Sequence, residues 1–360
     1  MTPTLSEVLA TVASAMPDPW STNHVDLYEQ DLAHHFDVAE AVAVSSGTAA
    51  LHCALVALDI AAGDEVLLPA AAPLSSIAPV LYVGATPVFV DSGARGESLD
   101  IDDLASKLSD RTRLVVPVHL WGRTGDVVRL VEYARAHGLR VVEDARDAIG
   151  TRFDDQLAGT FGDLGCISTN DKQVLWSGQG GFILTQDTTL AERCRAARWH
   201  WQTPPREQAP YGELGYNYAL AEPLAAIARA NLSRLDDLLE QRRNQYHALA
   251  SMLAEAPGLR PIETARFEEW NASSALFRID LSRPRKFCAH LSAAGVVNCV
   301  GSYRMVAADQ LGLLGRYVTD PCLRARTAID TTLAIPLRAR LVWVCLGTPR
   351  SSRSVERWPR

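Results

Sequence analysis

Short apolar runs alternate with amphipathic stretches from about residue 40 to residue 185. The apolar runs predict strands at AVAVS (Ala41–Ser45), EVLLP (Glu65–Pro69), TPVFVD (Thr86–Asp91), RLVVPVHL (Arg113–Leu120), LRVVED (Leu139–Asp144), GCIS (165–168) and FILT (182–185). Helical spacing of apolar positions predicts helices at TAALHCALVAL (Thr48–Leu58) and at VVRLVEYARAHG (Val127–Gly138), where glycine ends the second helix. Strands that are apolar throughout and separated by helices indicate a parallel sheet covered on both faces. Ligands of such sheets bind at the carboxyl ends of the strands.

The remainder of the chain predicts a connector and a smaller domain. A long helical pattern, PLAAIARANLSRLDDLLEQRRNQYHALASMLAEA, follows Glu222. FRIDL (Phe277–Leu281), a helix near Arg285–Ala294 and GVVNCV (Gly295–Val300) then indicate an α+β unit. Residues 1–40 predict helices with an irregular entry near Pro17–Asn23. We therefore divide the chain into an N-terminal arm with a large domain (1–235) and a connector helix with a small C-terminal domain (236–360).

Composition excludes several classes of partner. The formal net charge of −7 gives no reason to expect a nucleic acid or an anionic membrane as partner. No apolar run has the length of a membrane span, and the N-terminus lacks the basic flank of a signal peptide. The seven cysteines contain no CxxC pair, which is typical of reduced thiols in a cytoplasmic protein rather than of a disulfide framework or a metal site.

Three stretches carry candidate chemistry. SSGTAAL (Ser45–Leu51) joins a strand to a helix, and the N–H groups of Gly47 and Thr48 there would suit a phosphate, although the same residues make a plain turn and N-cap. VVEDARDAIG (141–150) places Asp144 at a strand end, where a carboxylate can pair with a protonated pyridine nitrogen, or be an N-cap or a surface charge. GTFGDLGCISTNDKQVLWSGQGGFILT (159–185) holds Lys172 in a polar loop, where a desolvated amine could form a Schiff base.

Taken in order, these stretches resemble the DegT/StrS family of sugar aminotransferases. YVGATPVFVD (82–91), PVHLWG (117–122) and LGYNYALAEPLAAIARANL (214–232) support the resemblance, which runs from about Trp20 to about Leu239 and more weakly to IPL (335–337). It implies the fold type I architecture of pyridoxal phosphate (PLP) transferases: a large domain with a mostly parallel, seven-stranded sheet covered by helices, and a smaller C-terminal α+β domain. It also implies a PLP cofactor, a homodimer with shared active sites, and transfer of an amino group to a keto sugar, often carried on a nucleotide, or to a cyclitol.

The resemblance also implies roles for particular residues. Gly47, Thr48 and Ser168 would bind the cofactor phosphate, and Asp144 would hold the pyridine nitrogen. Asn217 would reach the phosphate of the neighbouring subunit. The segment around Ser302 and Tyr303 would line the substrate pocket, with core packing of Tyr303 as the alternative.

Several positions depart from the family pattern. The family's Schiff-base lysine lies five residues after the serine that matches Ser168 and seven before the glycine that matches Gly180; both counts reach Gln173, one residue beyond Lys172. Pro73 holds the position of a stacking aromatic residue. Asp147 replaces a glutamine near the ring hydroxyl, and Ala219 replaces an arginine.

Three hypotheses follow for the function. In the first, Lys172 binds PLP and the chain is an aminotransferase of amino-sugar or secondary-metabolite biosynthesis; Lys107 and Lys286, the only other lysines, lie in an amphipathic helix and in the small domain. In the second, the old cofactor cleft performs other acid–base chemistry without PLP, with participants drawn from Asp144, Asp147, Asp171, His52 and His119. In the third, the chain is a non-catalytic partner of an active homologue and contributes Asn217 across the interface.

Overall fold

The computed structural model describes residues 10, 23–93, 96, 99–200 and 215–337. Most of the predicted N-terminal arm lies outside these residues. In chain order the elements are α1 (His24–Phe36), β1 (Glu40–Val44), α2 (Gly47–Ala57), β2 (Glu65–Pro69), α3 (Leu74–Tyr82), β3 (Thr86–Val90), α4 (Ile101–Ser106), β4 (Thr112–Val115), α5 (Val127–Ala136), β5 (Arg140–Asp144), β6 (Arg152–Phe153), β7 (Gln156–Leu157), β8 (Leu164–Ser168), β9 (Gly181–Thr185), α6 (Thr188–Arg198), α7 (Glu222–Leu232), α8 (Leu235–Leu253), β10 (Leu259–Pro261), β11 (Glu268–Glu269), β12 (Ser274–Ile279), α9 (Pro284–Ala293), α10 (Leu323–Asp330) and β13 (Thr332–Pro336).

The main sheet has seven strands in the order β1-β9-β8-β5-β4-β2-β3. Strand β9 runs antiparallel to both of its neighbours, and the other strand pairs are parallel. The predicted α/β class with a mostly parallel seven-stranded sheet is therefore confirmed. Because the parallel strands point the same way, their carboxyl ends form one edge, and the loops that follow β2, β5 and β8 meet there.

Helices cover both faces of this sheet, which is why its strands are apolar throughout. On one face, Val42 and Val44 of β1 pack in the same buried cluster as Leu51 and Leu55 of α2. On the other face, Ala41 and Ala43 share a cluster with α1 and α7. Helix α5 buries its apolar face against Val115 and Val141.

The C-terminal part builds a second, three-stranded sheet with the order β10-β12-β13, antiparallel throughout. The predicted helix near 285–294 is present as α9. Strand β11 turns back and pairs with β6, next to the main sheet. The division at residue 235/236 stays a prediction. Among the described residues, no helix is both long and apolar enough to cross a membrane.

Three sequence interpretations were wrong in detail. The long pattern after Glu222 forms two helices, because α7 ends at Leu232, where the Ser233 hydroxyl bonds back to the Ala230 carbonyl, and α8 starts at Leu235. The strand predicted at 113–120 stops at Val115, before Pro117, which has no N–H to donate to a ladder. GVVNCV forms no strand; the Cys299 N–H makes a single bond to the Ala334 carbonyl of β13.

A buried ion pair fastens the segment around β11 to the large domain. Nε of Arg123 lies 2.7 Å from Oε2 of Glu268, and both side chains are almost fully excluded from solvent. The other carboxylate oxygen accepts bonds from the Thr124 N–H and hydroxyl. Breaking a buried pair leaves an uncompensated charge, so Glu268 contributes strongly to stability.

We expect Glu268→Gln to lower the free energy of unfolding by about 3 kcal/mol, because a buried ion pair with the Arg123 guanidinium is replaced by a neutral contact. Urea denaturation followed by circular dichroism measures the change. Asp126→Asn is the matched control, because the Arg129–Asp126 pair is exposed and should contribute less than about 1 kcal/mol. Equal losses in the two variants would show that the buried pair has no special role.

Candidate functional site

The candidate site is a cleft of ≈ 480 Å³ at the carboxyl edge of the main sheet. Its floor comes from the loop after β5 and the loop after β8, which supply Arg146, Asp147, Lys172 and Gln173. The C-terminal part supplies the facing wall, including Tyr303. Of the sequence-predicted site residues, Pro73, Asp147 and Lys172 line this cleft.

The predicted phosphate cradle is formed where β1 joins α2. Ser46 caps α2, its hydroxyl accepting from the Ala49 N–H, which leaves Gly47 and Thr48 in the first turn. A Cβ on Gly47 would lie 2.7 Å from the Cβ of Ser168, so only glycine allows the helix start to approach the end of β8 this closely. The structure thus brings Gly47 and Ser168 together, and a helix N-terminus here favours an anion. Their role as phosphate ligands stays a prediction.

The Asp144 carboxylate forms an ion pair with Arg146 of the same chain. This carboxylate ends β5 and is 1% exposed. Nε of Arg146 donates to its Oδ1 over 2.7 Å, and Nη2 of Arg146 lies 2.7 Å from Oδ2. Nη1 of Arg146 donates to the Ser75 hydroxyl. Burial by itself would lower the pKa of Arg146, but the charge and hydrogen bonds of Asp144 outweigh it and raise that pKa, so the guanidinium stays charged.

Asp147 is bonded to the amide that stands where the family's lysine is expected. Nε2 of Gln173 donates to Oδ1 of Asp147 over 2.9 Å. The Asn271 side chain fixes the Asp147 backbone by donating to its carbonyl oxygen over 2.7 Å. Burial raises the pKa of the Asp147 carboxyl, against the opposing effects of the Gln173 hydrogen bond and the Arg146 charge. A carboxyl group with a raised pKa that faces a cleft is a candidate for proton transfer.

Lys172 lies at the rim of the cleft. The side chain is exposed, and Nζ sits over the Tyr303 ring, 5.2 Å from its centroid. The loop is pinned on the other side by the bond from the Lys172 N–H to the Asn170 side chain. The Lys172 amine therefore lies against the wall of the cleft that the C-terminal part supplies. The other described lysines are elsewhere: Lys107 is held by Asp103, and Lys286 is exposed on α9.

The remaining candidates fall outside the cleft lining. His119 is buried and bonded to Glu143, and Glu143 also accepts hydrogen bonds from three backbone N–H groups. His119 therefore has a structural role in the core. His52 is buried against Tyr216 and Tyr218, and burial lowers its pKa. Asp171 is exposed. The Ser302 hydroxyl is bonded to Ser292 and to the Asn298 N–H, whereas the adjacent Tyr303 does line the cleft.

Two further candidates are Asn217, which lies at the surface, and Pro73, which lines the cleft. Asn217 is exposed and makes an isolated β-bridge with Trp199, so its side chain is accessible to a neighbouring subunit. Pro73 precedes α3 and offers the cleft a small aliphatic ring in place of an aromatic one. Among the described residues, no group of three or more His, Cys, Asp or Glu side chains could hold a metal ion.

Arg146 is the functional residue that sequence analysis missed. The signal was an arginine between two acidic residues directly after a strand end, in EDARD. From the sequence alone, the Arg146 side chain could equally have pointed to solvent. Only the structure shows that its guanidinium contacts the Asp144 carboxylate.

Comparison with known proteins identifies the family of this chain. A sequence profile of the DegT/DnrJ/EryC1/StrS aminotransferase family matches residues 5–342. The chain belongs to this family. Members and solved neighbours are PLP-dependent aminotransferases, and one neighbour from Streptococcus pneumoniae has been solved in its PLP form.

Individual relatives include sugar aminotransferases. The chain is 37% identical to a UDP-N-acetyl-3-dehydro-alpha-D-glucosamine 3-aminotransferase of Acidithiobacillus ferrooxidans, over 86% of this chain and 82% of that protein. It is 35% identical to a GDP-perosamine synthase of Escherichia coli O157:H7, over 61% of this chain and only 60% of that protein's length. The aminotransferase TlmJ of Streptoalloteichus hindustanus superposes with a TM-score of 0.84 at 27% identity, covering 93% of this chain and 91% of that chain. These relatives support an aminotransferase-type protein of amino-sugar or secondary-metabolite biosynthesis.

The residues of this chain fit PLP at one end only. The phosphate end retains the Gly47–Ser168 contact at a helix start. At the ring end, Asp144 is paired with Arg146, and Gln173, the residue that counting along the sequence assigns to the lysine position, is bonded to Asp147. An amide cannot form a Schiff base. The ring end therefore does not fit the family cofactor.

The raised pKa of Asp147 predicts a pH-dependent contribution to stability. A carboxyl whose folded pKa is raised favours folding most at pH values below its ordinary value of 3.8, and this contribution is lost as pH rises through the folded pKa. We expect the stability of the wild type, relative to Asp147→Asn, to fall over that interval. Urea titrations of both proteins at a series of pH values measure the difference, and a difference that does not change with pH would contradict the assignment.

Proposed function

We propose that this chain is an enzyme of amino-sugar or secondary-metabolite biosynthesis that binds a keto sugar or cyclitol-like substrate and moves a proton on it without a covalently held cofactor. The observation that carries the proposal is the 2.9 Å hydrogen bond between Gln173 and Asp147. This bond joins the Asp147 carboxyl to Gln173, the residue that counting along the sequence assigns to the lysine position. The substrate class comes from the relatives named above, two of which are named for sugar products or substrates.

The side chains of the cleft suit proton transfer beside a carbonyl. The Asp147 carboxylate would take a proton from the carbon next to the ketone, and the electron pair of that C–H bond would move to the carbonyl oxygen. The Arg146 guanidinium, with its pKa raised by Asp144, would stabilise the negative charge on that oxygen. Return of the proton from Asp147 gives an isomer or the starting ketone, with no oxidation or reduction.

The amide and the hydroxyl nearby hold these groups in place. Gln173 donates to one oxygen of Asp147, which orients the carboxyl. Ser75 and Asp144 hold the guanidinium plane from two sides. Because these supports lie in the loop after β8, in α3 and at the end of β5, the two reacting groups are preorganised.

We expect the wild type to exchange solvent deuterium into the carbon next to the carbonyl of a nucleotide-linked keto sugar, followed by proton NMR. Asp147→Asn should slow the exchange by at least ~10²-fold, because the amide cannot accept the proton. Asp171→Asn is the matched control, since Asp171 is an exposed carboxylate of the loop after β8 and does not line the cleft. Equal exchange in the wild type and in Asp147→Asn would refute the proposal.

Amino transfer through Lys172 is the second candidate, favoured by the position of its amine on the cleft wall. It requires the loop after β8 to move so that Nζ leaves Tyr303 and reaches the ring end. If this candidate is correct, PLP-supplemented protein transfers the amino group of glutamate to the keto sugar, and Lys172→Ala abolishes transfer while Lys286→Ala does not. Transfer that survives in Lys172→Ala would eliminate it.

We further propose a homodimer and a cytoplasmic location. The exposed Asn217 supports a partner subunit that receives its side chain, and the buried free thiols of the described cysteines suit a reducing compartment. Sedimentation equilibrium measures the subunit number directly. A monomer that has full exchange activity would contradict the shared site.

A further inference from the structure

We propose that Arg146 and Gln173 take the places of the cofactor ring and the cofactor lysine, so that the cleft is electrostatically complete without PLP and excludes it at two separate points. The inference stands independently of the proton transfer described above. It concerns what the cleft can bind, whatever reaction it performs.

The first point of exclusion is the cation on Asp144. A carboxylate that is 1% exposed at the end of β5 needs a positive partner, because an unpaired buried charge is strongly unfavourable. A protonated pyridine nitrogen would be such a partner, but Arg146 already donates to Oδ1 of Asp144 over 2.7 Å, and its Nη2 lies 2.7 Å from Oδ2. A cofactor ring could pair with Asp144 only by displacing the Arg146 guanidinium. The new pair would replace an existing one, so it would add no net free energy of binding.

Arg146 is also held from its outer side. Its third nitrogen donates to the Ser75 hydroxyl at the start of α3, and its side chain is only 13% exposed. Turning the guanidinium away would therefore break contacts to two elements at once. The side chain behaves as a fixed part of the floor of the cleft.

The second point of exclusion is the amide of Gln173. Its Nε2 hydrogen bond to Asp147 fixes the side chain that counting along the sequence assigns to the lysine position. Lys172 is turned to the facing wall, where its ammonium group lies over the Tyr303 ring. Two adjacent residues thus have different partners.

The phosphate end shows no comparable change. Ser46 still caps α2, and Gly47 still approaches Ser168 closely. Because the alteration is confined to the ring end, two substitutions should reverse it.

A four-protein comparison tests this inference: wild type, Gln173→Lys, Arg146→Ala and the double variant, each purified, incubated with PLP, reduced with borohydride and mapped by peptide mass spectrometry. We expect no pyridoxyl adduct at Lys172 in the wild type, at most weak labelling of residue 173 in Gln173→Lys, and near-complete labelling of residue 173 in the double variant. A wild-type adduct at Lys172 would overturn the inference. So would labelling in Gln173→Lys equal to that of the double variant, because Arg146 would then exclude nothing.

Thermal melting of the wild type provides a readout that does not depend on how well the variants fold. PLP should leave the melting temperature of the wild type unchanged, since a ligand raises it only by binding the native state. Arg146→Ala, which leaves Asp144 unpaired, should melt at a lower temperature and regain stability when PLP is added. A PLP-dependent rise in the wild type would refute the exclusion even if neither Arg146 variant could be purified.

This comparison also separates the inference from the proposed function. PLP exclusion without deuterium exchange would remove the proton-transfer proposal and leave the inference standing. Deuterium exchange together with wild-type labelling at Lys172 would remove the inference and would leave only the exchange itself, not its independence of the cofactor.

Discussion

The structure of the cleft depends on one requirement: Asp144, a carboxylate buried at the end of a central strand, must have a cation. The seven-stranded sheet places this residue at the edge where the loops after β5 and β8 meet. In an aminotransferase of this family the cation would come from a bound cofactor. Here it comes from Arg146, two residues further along the chain. Because the requirement is met within the chain, we infer that the neighbouring positions do not serve a cofactor ring.

The other departures are consistent with this change. An amide at position 173 and a carboxyl at position 147 would be poor surroundings for a cofactor phenolate, yet they hydrogen-bond well to each other. Burial raises the pKa of Asp147, which a cofactor site would not use but proton transfer can. Pro73, where an aromatic ring would stack, offers less surface to a flat ligand. Arg146 with Asp144, and Gln173 with Asp147, thus form two bonded pairs at this end of the cleft.

The sequence predicted the architecture well because the buried strands and their order are written in local patterns. Continuous apolar runs marked β2 and β5 almost to the residue, and the helix ended by Gly138 was found as well. The break after Leu232 was missed because both helices share one apolar spacing and only a serine marks the gap. Counting from Ser168 placed Gln173, rather than Lys172, at the lysine position, and the structure puts that amide on Asp147. Arg146 could not have been assigned in this way, because its partner is decided by the turn of the backbone after β5 rather than by spacing.

The measurement that addresses the account most directly is a crystal structure of the wild-type protein grown in excess PLP. The account predicts that Arg146 remains paired with Asp144, that Gln173 remains bonded to Asp147, and that no electron density connects a ring to the chain. Continuous density from Nζ of Lys172 to a bound ring, with the Arg146 side chain moved off Asp144, would contradict it.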